Sequence, residues 1–507
     1  MLKQQSLWGL IDARADATPD ALAAVDEDMS TLTFLELATE AERAAAGLAA
    51  EGIGPGSVVT WQLPTWIESL VLVAALARLG ATQNPVLPIY RAREVGFVTD
   101  QAKADLIVVP SVWNGFDFEA MATEIVRTNG HGRVLVADRA LPQGDPSQLR
   151  EPPAEASADE VRWLFYTSGT TADPKGAKHT DASIAIVAAG MGDRLALIRA
   201  DRSALIFPFT HIGGITWLFS ALQFGCSLIL MESFHPERTP EVLSREGVTV
   251  AGSGTPFHMA YLAAQRSSIT PIFPDVRCFP GGGAPKPPQL VRDMRSLFDA
   301  PILSGYGLTE APILTMASVD DSDEELAETE GKPMPGVQIR VVGVDDFEVV
   351  PGEEGEIRAK APQLMKGYLD PTLDAAAFDS DGWFRTGDLG RIDDRGNVII
   401  TGRLKDVIIR KGENVSAKEV EDHLYGHPKV ADVAVIGVPD AERGEMVVAV
   451  VATTPGSDPL GFQEMVDYLK GDGLMVQKVP ERLEIVDDVP RNPAGKIRKA
   501  DLVVKYS

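Results

Sequence analysis

Cysteine is nearly absent: Cys226 and Cys278 are the only two in 507 residues. Neither belongs to a C-x-x-C pair or lies beside a His/Cys set suited to zinc, so no disulfide framework or zinc site is expected, and both read as core thiols. Long apolar runs are missing too. The longest, "LVLVAALARLG" from Leu70, is too short to span a bilayer. The first residues, "MLKQQSLWGLIDARADATPDALA", lack a signal-peptide core and read as an amphipathic helix. The final "VVKYS" carries no targeting tripeptide. A cytoplasmic enzyme is the expectation. Basic residues are also few, 47 against 73 acidic ones, for a formal charge of −26. Such a surface repels nucleic acid and anionic lipid. An anionic substrate must then be drawn in by local positive groups.

What is present suits an ordinary globular protein, 45% apolar and 24% charged. The length exceeds one hydrophobic core, so two or more domains are expected. The first third alternates helical and strand-like stretches. "SLVLVAALARLG" reads as a buried helix ended by Gly80; "ADLIVVP", "RVLVAD", "RWLFYT", "SALIFPF", "CSLILME" and "VTVAGSGTP" read as strands. That alternation predicts a mostly parallel α/β sheet. From Pro333 the chain turns to short strands between Gly, Pro and Asp turns, "VQIRVVGVDD", "GEIRAK" and "GNVIITGR". After "GRLKD" a further α+β unit begins. Ser416 and Glu419 stand in capping-box spacing before a helix; the strands "VADVAVIGVPD" and "EMVVAVVAT" and a helix in "PLGFQEMVDYLKG" follow. The fold class is thus α/β: a large N-terminal domain of αβ-layered subdomains with a β-rich subdomain, 1–403, and a small α+β C-terminal domain, 404–507. The run "DDSDEELAETE" reads as a solvated loop or helix.

Six stretches carry chemistry. "YTSGTTADPKGAKHT" puts hydroxyls at Thr167, Ser168, Thr170 and Thr171 around Gly169, with Lys175 following. It lacks the spacing of the common P-loop. Glycine backbone, hydroxyls and a point charge still suit several oxygens of a polyphosphate; the plain alternative is a Ser/Thr-rich turn after a strand. "GGGAP", Gly281 to Pro285, is costly to order and suits close approach to a flat ligand, or else a tight turn. "SGYGLTEAP" offers Tyr306 for stacking, Thr309 as a donor and Glu310 as a hard oxygen ligand for magnesium; by itself it is also a plain capped loop. "GWFRTGDLG" holds Asp388, an acid able to accept from two ribose hydroxyls. "TGRLKDVIIRKGEN" holds Arg403 and Lys405, and "PRNPAGKIRKADL" holds Lys496.

Taken in order, these stretches resemble the adenylate-forming superfamily of acyl-CoA synthetases, aryl-CoA ligases, luciferases and peptide-synthetase adenylation domains, from about Leu7 to Asp501. The resemblance is nearest in feel to medium-chain or cyclohexanecarboxylate CoA ligases. It implies activation of a carboxylic acid by ATP and Mg2+ to an acyl-adenylate, then displacement of AMP by a thiol, with a small domain that rotates between the half-reactions. By resemblance, Thr167, Ser168, Gly169, Thr170, Thr171 and Lys175 hold the β- and γ-phosphates. Gly283, Ala284, Pro285, Ser304, Gly305 and Tyr306 line the adenine site, and Thr309 reaches the α-phosphate. Glu310, with Thr170, binds the metal. Asp388 and Arg403 hold the ribose. Lys496 bridges the attacking carboxylate and the α-phosphate, Lys405 is the hinge, and Gly412 lies on the path of the pantetheine of coenzyme A. One departure is Ala172, where the family usually has glycine; at φ > 0 it would cost roughly 1 kcal/mol.

His211, in "FPFTHIGGI", is expected at the mouth of the acyl pocket as a gate, or else as a partly buried structural histidine. His211, Ile212, Gly213, Gly214 and Gly307 form the expected pocket, with the two adjacent glycines leaving volume for a bulky acid. No aspartate stands nearby to meet a substrate amine. The expected function is an acyl-CoA synthetase for a medium-chain, alicyclic or steroid-derived acid. The alternatives are an aryl-CoA ligase, an acyl-AMP ligase that loads a carrier protein, and, remotely, a nucleotide-binding pseudoenzyme. A monomer or homodimer is expected.

Overall fold

A computed structural model of the chain describes residues 1–167, 173–252, 254–283, 286–411, 413–440, 442–491 and 496–507. Of the expected site residues, Ser168, Gly169, Thr170, Thr171, Ala284, Pro285 and Gly412 lie outside these, as does Ala172.

Two α/β sheets form the first layers. One runs in the order Lys175–Thr180, Val161–Thr167, Thr82–Pro85, Val58–Trp61, Leu106–Val109, Val134–Val136. All its neighbours are parallel except the first pair. The other places Arg202–Leu205, Ser227–Leu230 and Leu22–Asp26 in parallel, with Thr31–Thr33 antiparallel at its edge. The helix Ile67–Leu79 is apolar on nearly every face and ends at Gly80, φ 67°, where glycine adopts the left-handed cap without strain. The amphipathic helix expected at the start is Leu7–Ala17. Ser6 caps it, and Leu7, Trp8, Leu10 and Ile11 enter the core.

The expected strand "VTVAGSGTP" shrinks to isolated bridges at Val250, which join Ser203 to Cys278. Through them the second sheet reaches Phe279–Gly282, which pairs in parallel with Ile302–Tyr306. The β-rich part is an antiparallel four-stranded sheet, Gln338–Val342, Gly355–Lys360, Phe384–Ile392 and Val398–Arg403. The acidic run forms a short helix, Asp323–Glu328, capped by Ser322, with Leu326 and Ala327 buried beneath it.

The last sheet joins Glu413–Ser416, Val407–Arg410, Gly444–Thr453 and Val430–Asp440, and Arg482–Val486 pairs with Gly444–Thr453. Ser416 caps the helix Ala417–Tyr425, accepting from Glu419 N. The Glu419 carboxylate accepts from Lys478 at 2.6 and 2.7 Å. Apolar clusters cover both faces of this sheet, one under Ala417–Tyr425 and Phe462–Gly471, the other under Lys499–Tyr506. Among the described residues, neither cluster contains a side chain from before Ile408. Both cysteines are buried, and burial pushes their thiols up to about 12. No described helix is long and apolar enough to cross a membrane.

Asp201 fixes the approach of the second sheet to the glycine-rich strand. Its buried carboxylate accepts from Arg277 at 2.7 and 2.5 Å, from Thr249 Oγ1 at 2.8 Å and from Ile198 N at 2.8 Å. Replacing Arg277 by methionine leaves that charge without its cation, a loss expected to cost about 3–5 kcal/mol. Urea unfolding of Arg277→Met against the parent measures it. A change below ~1 kcal/mol would make the pair an ordinary surface bridge.

Candidate active site

The strands Val161–Thr167 and Lys175–Thr180 pair in antiparallel register with Thr167 opposite Lys175, so the two ends of the hydroxyl-rich segment meet. The segment 366–369 is sewn along Lys175–Thr180 by Leu369 N to Gly176 O (2.7 Å), Lys178 N to Gly367 O (3.1 Å) and Lys366 N to Lys178 O (2.8 Å). This register buries Tyr368. Its ring lies 5.6 Å from Lys175 Nζ, and its hydroxyl donates to Glu310 Oε1 at 2.8 Å. Tyr368 thus ties Lys175 to the Glu310 carboxylate. Sequence reasoning passed over it, because in "LMKGYLD" only Gly367, at φ 85°, marks a special backbone.

Thr309 and Glu310 follow the strand Ile302–Tyr306 in a tight loop, with Leu308 and Ala311 exchanging backbone hydrogen bonds. A Cβ at Gly307 would lie 2.3 Å from Ile313 N and 2.8 Å from Ala311 O. Gly307 therefore permits the loop to close, and the space beside it is filled by backbone, not left for an acyl group. His179 holds the loop from beneath. It is fully buried; burial lowers its pKa to about 4, and Nε2 lies 2.8 Å from Thr309 O. A neutral ring must carry its proton on Nε2 to donate to that carbonyl.

Asp388 is buried opposite Arg403 on the neighbouring strand. Tyr306 Oη donates to its Oδ2 and Arg403 Nε to its Oδ1, each at 2.7 Å. Tyr306 therefore presents its hydroxyl to an acid, beyond the stacking role anticipated for its ring. Burial, reinforced by Asp388, pushes the phenol well above its usual range. The strand Phe279–Gly282 aligns Gly281 with Ser304 and Gly282 with Gly305. A Cβ on Gly282 would stand 2.7 Å from Gly305 O, which is why glycine is required there. Gly283, at φ 76°, has open space where a side chain would project. Ser304 is buried and its Oγ has no hydrogen-bond partner among the described residues.

Lys496 arrives from the far end of the chain. It is solvent-exposed but within electrostatic reach of Arg403, Asp388, Glu310 and Lys405, and the surrounding protein, then Arg403, lowers its pKa below the ordinary lysine value. Lys405 itself lies in the exposed 3-10 turn Leu404–Asp406. His211 caps the helix Ile212–Phe224: its Nδ1 accepts from Gly213 N at 3.0 Å. Burial, then the charge of Lys496, lowers its pKa to about 4. The ring is a neutral Nε2–H tautomer. It borders a cavity of about 20 Å³ with Leu87, Tyr90, Phe165, Tyr166, Ile212 and Thr309. The volume expected from the two glycines is not there. A Cβ on Gly214 would meet the Phe209 backbone at 2.7 Å, and one on Gly213 would meet His211 Nδ1 at 3.1 Å and the Phe207 ring at 3.4 Å. At Gly214 the missing side chain's place is taken by backbone, and at Gly213 by the two neighbouring rings.

The site joins the facing strand ends Thr167 and Lys175, a carboxylate clasped by a phenol and a guanidinium, an acid set by a second phenol, and a lysine from the last domain. The chain matches the AMP-binding enzyme family over residues 11–369 and the AMP-binding enzyme C-terminal domain over residues 419–496. It is 30% identical over 522 residues to the medium-chain fatty-acid–CoA ligase of Escherichia coli K12, covering 98% of this chain and 91% of that one. It is 32% identical over 513 residues to the salicyl-AMP ligase / salicyl-S-ArCP synthetase of Mycobacterium tuberculosis, covering 96% and 88%. The crystal structure of ATP-bound MatB from Rhodopseudomonas palustris superposes with a TM-score of 0.88 at 28% identity, covering 99% of each chain. The protein belongs to the AMP-binding enzyme family and is an AMP-forming acid–thiol ligase.

The buried histidine beneath Thr309 sets an acid-side stability slope. In the unfolded chain His179 titrates near 6.5, against about 4 in the fold. Between these values the unfolded chain binds the extra proton, so stability falls as pH drops through 6.5 and this loss levels off near 4. From pH 7 to pH 5 the contribution is about 2 kcal/mol. His179→Gln should flatten the urea-unfolding pH dependence by that amount; an unchanged slope would mean that His179 is not buried neutral.

Proposed function

We propose that the protein is an ATP-dependent acyl-CoA synthetase. It activates a medium-chain, alicyclic or steroid-derived carboxylic acid as the acyl-adenylate, with release of pyrophosphate, and passes the acyl group to coenzyme A. The observation that supports this best is the presence of Lys496 among Glu310, Asp388 and Arg403.

The first step brings a carboxylate oxygen to a phosphate. A P–O bond to pyrophosphate breaks as the new one forms. Two anions approach and charge grows on the bridging oxygens, so the need is for placed cations and donors rather than a general base. In this reading the Lys496 ammonium spans the carboxylate and the α-phosphate, and the Thr309 hydroxyl donates to the latter. Lys175 and Thr167, with Ser168, Gly169, Thr170 and Thr171, hold the outer phosphates. Gly283, Ala284, Pro285, Ser304, Gly305 and Tyr306 receive the adenine, where the orphaned Ser304 Oγ offers a polar contact. The ribose hydroxyls donate to Asp388, sharing it with Arg403.

Glu310 suits magnesium by the chemistry of its site: a hard oxygen ligand whose orientation is set by the Tyr368 hydroxyl. Glu310, with Thr170, would hold the ion, which when bound supplies neutralising charge to the phosphates.

In the second step the thiol sulfur attacks the acyl carbon and AMP leaves. His211 has Nδ1 engaged by Gly213 N and a proton on Nε2, so its role is steric, a gate between acid and thiol rather than a base. Lys405 is the hinge at the 403/404 boundary, and Gly412 lies on the thiol path.

A second reading has specific support. The cavity beside His211 is small, and Tyr90, Phe165 and Tyr166 stand in its wall. An aromatic lining suits a flat aryl acid, and a relative is named for salicyl activation and carrier-protein loading.

Pyrophosphate release and thioester formation across acetate, octanoate, palmitate, benzoate, cyclohexanecarboxylate and a steroid acid decide between the readings, with coenzyme A as the only acceptor. Octanoate, cyclohexanecarboxylate or the steroid acid should lead, and benzoate leading would favour the aryl reading. Pyrophosphate without thioester would make a carrier protein the acceptor. Lys496→Ala should slow adenylation by at least about 100-fold while largely sparing thioester formation from supplied acyl-adenylate. Equal loss in both half-reactions would remove Lys496 from the adenylation role.

A further inference from the structure

The residues that carry Lys496 are anchored at two points, one on the strand Val430–Asp440 and one on the helix Ala417–Tyr425 packed against it. On the upstream side, Arg491 faces Asp432 with Nη2 at 2.7 and 2.9 Å from the two carboxylate oxygens and Nε at 3.1 Å. Tyr425 donates its hydroxyl to the same carboxylate at 2.5 Å. Asp432 sits where the pairing of Val430–Asp440 with Gly444–Thr453 shifts register, an irregularity that re-aims a side chain. On the downstream side, Lys499 Nζ lies 2.7 Å from Glu421 Oε1. That oxygen also accepts from Val435 N at 2.7 Å, three residues along the strand from Asp432. Between the anchors the chain is pinched shut: Arg491 and Ile497 form an antiparallel bridge, and Arg498 N donates to Pro490 O at 2.8 Å.

Two features set this apart from ordinary surface pairing. Glu421 is 4% exposed, so its charge is matched inside the protein rather than by water. Lys499 is the first residue of the helix Lys499–Tyr506, an end whose backbone dipole disfavours a cation. A lysine there is sustained by its partner. Asp432 belongs to the strand Val430–Asp440, and Glu421, on the helix Ala417–Tyr425, is tied to the same strand through Val435 N, so both anchors hold the chain around Lys496 to one strand.

We propose that Asp432 and Glu421 are positioning residues for adenylation: by holding Arg491 and Lys499 they fix the neck that presents Lys496, without touching substrate themselves. This rests on the adenylation role of Lys496 given above. A misplacement near 1 Å at a reacting centre costs about 100-fold. Asp432→Asn and Glu421→Gln together should therefore slow pyrophosphate release by about 100-fold, while thioester formation from supplied acyl-adenylate is largely spared.

The test is a cycle with Lys496→Ala, reading both half-reactions and thermal unfolding of each full-length variant. If the anchors act through Lys496, the double substitution should add little to the residual adenylation rate of Lys496→Ala. Lys499→Met, which removes the more exposed member of its pair, and the conservative Asp432→Glu serve if the double variant does not fold. The first should lower adenylation selectively and the second should restore part of it. Equal loss in both half-reactions, or full additivity with Lys496→Ala, overturns the proposal. An unaffected Lys496→Ala enzyme overturns the reading beneath it instead.

Discussion

The carboxylate of Asp388 is the interaction on which the site depends. It is buried, so it must be matched, and it is matched from two directions: by the phenol of Tyr306 and by the guanidinium of Arg403. Tyr306 ends a strand of the glycine-rich sheet. Arg403 ends the antiparallel sheet and stands one residue before the turn that leads to the last domain. One acid therefore joins three parts of the chain. Breaking it would leave a buried charge and loosen the strand ends that frame the cleft. The Glu310–Tyr368–Lys175 series makes a second, parallel connection, from the loop after Tyr306 to the strand that begins at Lys175.

Much of the architecture was legible in the sequence, for local reasons. Apolar runs of four or five residues between turn signals became parallel strands, and Ser416 became a helix cap because its hydroxyl can accept from a backbone donor three residues on. "VTVAGSGTP" misled because the same β-branched pattern serves a single bridging residue, Val250, whose neighbours on both sides belong to other segments. No property of the local string decides how many pairs a strand will make.

The site was legible as residue types and much less as geometry. Thr309, Glu310, Asp388, Arg403 and Lys496 were marked by the company they keep in the sequence. Tyr368 and His179 were not, because their value lies in what they touch: a carboxylate 58 positions away for the first and a backbone carbonyl 130 positions away for the second. The glycines near His211 and Thr309 show the reverse error. A missing side chain suggests room, but at Gly214 and Gly307 that room is already filled by backbone. A sequence records which side chains are absent and not what occupies their place.

The final sheet has apolar clusters on both faces, and among the described residues neither borrows a side chain from before Ile408. A unit that completes its own interior owes nothing to the shape of the acid pocket. Residues lining that pocket can drift, from slim to broad or from aliphatic to aromatic, without unsettling the piece that carries Lys496. The residues around the cavity beside His211 and the cores that support the chain near Lys496 are thereby separate sets.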